Sequence, residues 1–279
     1  MIRRQLRDSN IRLRHKLGQH ILSKPSIIDK IVSYLYKHRD KIHGIADIGC
    51  GPGTLTIPIA CRGFYTIGID IDARLITIAE HVLSRIDKDI LSPRIEFIVL
   101  DALTADALRV DAIVSSMPYY ITGPLLGVLA KVNSAQLLLL IIQREVGIRI
   151  ISNPGSKDYG RISVLYQLLF DIEFLGYVNR KSFYPAPEVD SVLLLLKRKQ
   201  DYDDTIMLME DITRCFFSMR NKKISNVARK CLKHLDVSIN VIKDNEELGI
   251  YLDKRPYEAP PWFYLSLTRV VKDSRKKSS

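Results

Sequence analysis

Between residues 44 and 142, short apolar segments alternate with helix-patterned stretches, and this rhythm constrains the fold more than any other feature of the chain. The apolar segments occupy 44–48, 66–69, 95–100, 112–114 and 136–142, each ending in a polar or glycine-containing cluster. Helical spacing fills 55–60, 73–86 and 124–132, and an earlier stretch, 25–38, repeats Ile27, Ile28, Ile31, Val32 and Leu35 on one face. Strand and helix in this alternation predict a parallel sheet covered on both faces. Segments 174–178 and 189–197, separated by the Pro-containing FYPAPE, predict two further strands paired antiparallel. After Lys199 the texture changes to a short acidic linker and then to short helical patterns rich in Arg and Lys. A boundary near 200 divides the chain into an α/β domain, 1–200, with a basic N-terminal arm, and a basic helical domain, 201–279.

Composition excludes several classes. The longest apolar runs, 137–142 and 192–196, fall far short of the roughly 18 residues a membrane span needs. No apolar stretch follows the N-terminal arginines, so the start does not read as a secretory signal. Cys50, Cys61, Cys215 and Cys231 lack CxxC spacing and have no His arranged for zinc, which predicts a cytoplasmic protein with reduced thiols and no metal. The formal net charge is +11; residues 1–16 hold +5 of it and residues 197–279 hold +6, so the excess flanks a neutral middle. Such concentration suits a polyanion, because neutralising phosphates releases counterions. A membrane surface fits less well, since neither end shows an amphipathic helix with Trp or Phe anchors.

Ala46-Asp-Ile-Gly-Cys-Gly-Pro-Gly-Thr54 falls where the first strand turns into a helix. Gly49, Gly51 and Gly53 form GxGxG, and their missing Cβ atoms let a ligand lie against the backbone. Asp70 ends the second strand about 20 residues on, where a carboxylate can accept both hydrogen bonds of a ribose diol. Asp101 ends the third strand, in VLDAL. A dinucleotide site prefers G-x-G-x-x-G; here the third glycine comes one position early and Pro52 interrupts the loop. The spacing, with a further acid after the third strand, resembles the S-adenosylmethionine-dependent methyltransferases.

Ser115-Ser-Met-Pro-Tyr-Tyr-Ile121 ends the fourth strand and resembles the (N/D/S)-(x)-P-(Y/F) motif of methyltransferases acting on exocyclic amino groups. Chemistry explains those residue types. An adenine amino group is a poor nucleophile because its lone pair is delocalised into the ring. A side-chain acceptor and a backbone carbonyl bonding its two protons favour the pyramidal, reactive form, and an aromatic ring holds the base in line with the methyl. Ser116 is the candidate acceptor, Pro118 fixes the turn and Tyr119 supplies the ring.

With further matches in order along the chain, the sequence resembles the ribosomal RNA adenine dimethyltransferases of the KsgA type. Gly18-Gln-His-Ile-Leu22 resembles the family's GQNFL, Asp47–Thr56 its (E/D)IGxGxGxLT, and Asp70-Ile-Asp72 its ExD. QREV at 143–146, YGRISV at 159–164, FYPAPEVDS at 183–191 and FSMRNKK at 217–223 resemble QxEv, YGRLSV, FxPxPxVxS and a basic FxxRRK segment. The resemblance implies a Rossmann-like class I S-adenosylmethionine methyltransferase, with a mostly parallel seven-stranded sheet, helices on both faces and a small C-terminal helical domain. It implies that His20 and Leu22 line the cofactor pocket beside Gly49, that Asp70 holds the ribose and Asp101 the cofactor's adenine. Ser116, Pro118 and Tyr119 would hold the target base, with Phe183 as a second aromatic wall. Arg220, Lys222 and Lys223 would contact RNA phosphates. Three positions depart from the family pattern: His20 and Ser116 stand where it has Asn, and Asp70 where it has Glu. With a hydroxyl at Ser116, the backbone carbonyl is expected to carry more of the load.

The implied activity is N6-dimethylation of two adjacent adenosines near the 3′ end of small-subunit ribosomal RNA, in a pre-ribosomal particle, by a monomer. Two alternatives stay open at this point: a non-catalytic ribosome-assembly factor that keeps the fold, and an adenine methyltransferase acting on another RNA or DNA.

Overall fold

The computed structural model describes residues 13–14, 18–86 and 94–278. The basic segment 1–16 expected to grip RNA lies, apart from residues 13 and 14, outside the described residues. Backbone contacts group the chain into two units, Met1–Gly147 with Ile172–Arg198, and Ile148–Asp171 with Lys199–Ser279.

The first unit carries a seven-stranded sheet of β2 (Gly44–Ile48), β3 (Tyr65–Asp70), β4 (Ile95–Val99), β5 (Ala112–Ser116), β6 (Leu137–Gln143), β7 (Phe170–Val178) and β9 (Ser191–Arg198), in the order β4-β3-β2-β5-β6-β9-β7. The pairs from β4 through β6 are parallel, and β9 runs antiparallel to β6, with Leu139 opposite Leu195. The predicted segments 174–178 and 189–197 become β7 and β9, neighbours in the sheet. Leu137–Ile142 and Val192–Leu196 are buried throughout, because strands covered on both faces need apolar side chains at every position. Between the strands lie α1 (Pro25–Tyr36), α2 (Thr56–Ala60), α3 (Ala73–Leu83), α4 (Thr122–Lys131) and α5 (Arg144–Ile151). Pro25 starts α1, where its missing N–H costs nothing, and the Asp72 carboxylate caps α3 by accepting from Arg74 N. Two residues of β1 (Ile21–Leu22) pair with two of β8 (Phe183–Tyr184), a ladder too short to leave a periodic trace in sequence.

In the second unit, α6 (Arg161–Leu169), α7 (Asp204–Ser218), α8 (Ile224–Lys233), α9 (Asn240–Lys243), α10 (Glu246–Gly249) and α11 (Pro261–Ser278) pack around Phe216, Phe263 and Tyr264. The Tyr264 hydroxyl, fully buried, donates to Pro256 O at 2.6 Å. Cys215 on α7 and Cys231 on α8 are joined by a disulfide across a Cα separation of 5.8 Å. This corrects the expectation of reduced thiols for that pair. The turn between α7 and α8 brings their buried faces together, which linear spacing did not reveal; Cys50 and Cys61 remain free thiols. Among the described residues no helix is long and apolar enough to cross a membrane.

Candidate active site

Strand order reverses beside β2: chain progression runs outward through β3 and β4 on one side, and through β5 on the other. Ligands of open α/β sheets lie at such a reversal, off the C-terminal strand ends. The glycine loop leaves β2 there and the SSMPYY segment leaves β5, in register through Asp47 and Val114. The two loops touch. A Cβ built on Gly49 would stand 3.2 Å from the Pro118 ring, and Gly49 has φ +72°, so close approach and backbone conformation both demand glycine.

A cleft open to solvent lies at this point. His20, Leu22, Gly49, Gly51, Asp70, Asp101, Ser116 and Pro118, all expected site residues, lie on its wall. Asp70, at the end of β3, accepts from Gly51 N at 2.8 Å through one carboxylate oxygen and from Asp72 N at 2.9 Å through the other. The carboxylate therefore ties the loop after β2 to the turn after β3, and each oxygen keeps a lone pair for a ligand diol. Burial pushes the Asp70 carboxyl up, with hydrogen bonds from the backbone of Asp72, Gly51 and Ile71 opposing the shift. Beneath the loop, Asp47 is 1% exposed and accepts from the Thr56 hydroxyl at 2.6 Å. Its burial pushes the carboxyl up to about 7.

At the SSMPYY turn, Ser116 ends β5 half-buried in the cleft wall, and among the described residues its hydroxyl has no hydrogen-bond partner. The hydroxyl is open to a ligand. Tyr119 is fixed at two points. Its hydroxyl lies 2.6 Å from the Ser191 hydroxyl at the start of β9, and its ring sits 5.4 Å, centroid to centroid, from the His20 imidazole. His20 is itself bonded through Nδ1 to Pro185 O at 2.8 Å. The β1–β8 ladder makes that contact, bringing GQHIL against FYPAPE.

Three expected residues are not on the cleft wall: Tyr119, placed by the contacts just given, Gly53 and Phe183. Gly53 sits behind the loop against Ile57 and Phe97, not on the cleft wall, and serves the turn. Phe183 is 2% exposed within the core formed with Leu22, Val178 and Leu193. Its ring packs in that core, and the ring found beside Tyr119 is that of His20. Three residues gain roles that sequence reasoning missed. Gln19 lines the cleft and donates to Asp72 at 2.9 Å, Tyr120 forms the outer wall at 46% exposure, and Ser191 anchors Tyr119. Gln19 and Ser191 lie inside quoted motifs, but their partners are 53 and 72 residues away in sequence.

In the second unit, the FSMRNKK segment follows α7. Arg220 donates to Lys157 O at 3.0 Å and stacks over Tyr257, while Lys223 pairs with Asp253 at 2.9 Å. Lys222 is exposed and, among the described residues, unpaired.

Residues 10–249 match the family model of ribosomal RNA adenine dimethylases. The chain belongs to that family. A ribosomal RNA small subunit methyltransferase A of Thermotoga neapolitana is 33% identical over 246 residues, covering 88% of this chain and 90% of the relative. A probable enzyme of the same name from Pyrobaculum aerophilum is 36% identical over 211 residues, covering 76% and 86%. The crystal structure of a dimethyladenosine transferase from Plasmodium falciparum superposes with a TM-score of 0.75 at 24% identity, covering 93% of this chain and 98% of that one. The Rossmann-like class I methyltransferase fold and the rRNA-modifying enzyme class expected from sequence are thus those of the dimethylase family.

Proposed function

We propose that the protein transfers methyl groups from S-adenosylmethionine to N6 of two adjacent adenosines near the 3′ end of small-subunit ribosomal RNA, within a pre-ribosomal particle. The observation that carries this is the contact of the glycine loop with the SSMPYY turn, which sets an open cleft beside a Ser116 hydroxyl that has no partner among the described residues and near an anchored Tyr119 ring.

The cleft fits the cofactor. A Cβ on Gly51 would meet no atom within 4 Å, leaving open space at the cleft wall, and Asp70 presents a carboxylate among apolar Ile21, Ile69, Ile71 and Leu75. Asp70 would hold a ribose diol, Asp101 an adenine amino group, and Ile71 and Leu75 the flat faces of a base. When bound, S-adenosylmethionine supplies a methyl group on a positively charged sulfur that departs readily.

The remaining work falls to this chain. Ser116 Oγ and a backbone carbonyl of the same turn would accept the two protons of the target amino group and bias its nitrogen toward the tetrahedral form. Tyr119, held by Ser191, would stack on the base and keep that nitrogen in line. Burial pushes the Tyr119 phenol up, so it stays neutral and serves as a surface. No strong base is required, because the nitrogen loses its proton to solvent after the new bond forms. The target must come from an unstacked strand, since a base inside a helix cannot reach this cleft.

Incubation with labelled S-adenosylmethionine and immature small subunits, followed by mapping of modified nucleotides, tests the proposal. Label on paired adenosines near the 3′ end supports it. Retained cofactor with no transfer overturns it in favour of a non-catalytic assembly factor, and label on other RNA alone overturns the substrate assignment.

A further inference from the structure

The edge strand β7 breaks its own alternation. Leu175 and Val178 are both buried in the core, while Phe174 and Tyr177 are both exposed, at 40% and 59%. Regular pleating turns residues three apart to opposite faces. The one-residue slip falls at Gly176, whose φ of +127° few other residues adopt, with the Leu175 carbonyl held by Lys30 Nζ at 2.5 Å. The result puts two aromatic rings side by side on the solvent face, 5.1 Å apart and edge to face.

Arg144 completes the group, its guanidinium 5.3 Å from the centre of the Tyr177 ring. Arg144 directly follows Gln143, which pairs in register with Ser191, the residue that anchors Tyr119. The aromatic pair is therefore fastened to the same strand ends that position the acceptor turn. Arg180 and Lys181 follow β7 and add positive charge; the Arg180 guanidinium donates to Glu188 O at 3.2 Å and its backbone N–H to the Asp190 carboxylate at 2.8 Å.

Large exposed rings on an edge strand are a liability for solubility and aggregation, and folding gains little from them. Ring faces beside a guanidinium and further cations are the elements that bind unpaired nucleic acid: bases stack on the rings and phosphates meet the charges. We infer that Phe174, Tyr177 and Arg144 form an accessory stacking platform for an unpaired nucleotide of the substrate RNA flanking the target adenosine. The inference rests on the proposed RNA-methylating function and adds a second contact point to it. The platform would hold the strand after a base has left it for the cleft, so its effect falls on substrate capture.

Two measurements on the full chain separate this from the parent proposal. The first is fluorescence anisotropy with a labelled, unstructured adenine-rich oligoribonucleotide at low salt. Tyr177→Ala should weaken binding about tenfold and Phe174→Ala about threefold, while Tyr177→Phe stays within twofold of wild type, because stacking needs a ring and not a hydroxyl. The second is methyl transfer to immature small subunits, where Tyr177→Ala should raise KM several-fold with a much smaller change in kcat. Unchanged affinity in Tyr177→Ala overturns the platform, as does equal loss in the Ala and Phe variants. If wild type transfers no methyl group, the proposed function fails while the anisotropy series still decides the platform.

Discussion

The hydroxyl groups of Tyr119 and Ser191, 72 positions apart in sequence, lie 2.6 Å from each other and fix the aromatic ring of the acceptor turn to the first residue of β9. Ser191 is fully buried, so Ser191→Ala leaves the fold a small void and Tyr119 an unanchored ring. A hydrogen bond of this kind contributes about 1 kcal/mol, which predicts a roughly fivefold fall in kcat for methyl transfer with cofactor affinity within twofold of wild type. Tyr119→Phe should behave alike, and Tyr119→Ala should abolish turnover while cofactor titration by calorimetry stays normal.

Asp70 joins two loops and faces the cleft. Asp70→Asn removes the charge and replaces one acceptor oxygen by a donor, setting an amide N–H against a backbone N–H. Cofactor affinity should fall at least tenfold, given about 1.5–3 kcal/mol for a hydrogen bond to a charged group. Calorimetric binding checks this, and an unchanged Kd removes Asp70 from the cofactor site.

Asp47 gives a pH signature. Its folded-state value, about 7, stands above the ordinary 3.8, so between those limits the folded protein holds a proton that the unfolded chain has released. Stability from this group is full below about pH 4 and is lost as pH rises through 7. The Asp47→Asn variant keeps a Thr56 partner and loses that dependence. Chemical denaturation from pH 4 to 7 should show wild type losing on the order of 4 kcal/mol relative to the variant.

The three basic residues after α7 are not equivalent. Lys223 is paired with Asp253 and Arg220 is engaged by Lys157 O and Tyr257, whereas Lys222 is exposed and, among the described residues, unpaired. If these residues meet RNA, Lys222→Ala should reduce the slope of log K against log salt by about 0.7–0.9, the value of one phosphate contact. Lys223→Ala should change it less, because the pairing with Asp253 already offsets its charge. Filter binding of particles across a salt series measures both.

The strands that carry the site were legible because burial on both faces forces continuous apolar runs, as in Leu137–Ile142, and because the glycine loop and SSMPYY follow such runs directly. Helix ends shifted by two or three residues: 73–86 became Ala73–Leu83, capped by Asp72. Contacts made only in three dimensions stayed hidden. The Cys215–Cys231 bond depends on how two helices turn back, and the Tyr119–Ser191 and Gln19–Asp72 pairs on sheet order. The placement of Phe183 was hidden for a related reason: its motif named an aromatic residue, and in the fold that ring, on the β1–β8 ladder, packs in the core.

The snug seating of Gly49 on Pro118 has an evolutionary corollary. Where the glycine loop meets the SSMPYY turn, only a proline ring stands against bare backbone. Any side chain at 49 would stand 3.2 Å from the Pro118 ring at a backbone φ of +72° that other residues rarely adopt, so this contact resists substitution. On the proposed reading, a change of target would be accommodated more readily at the outer rim, at Tyr120, than across this contact.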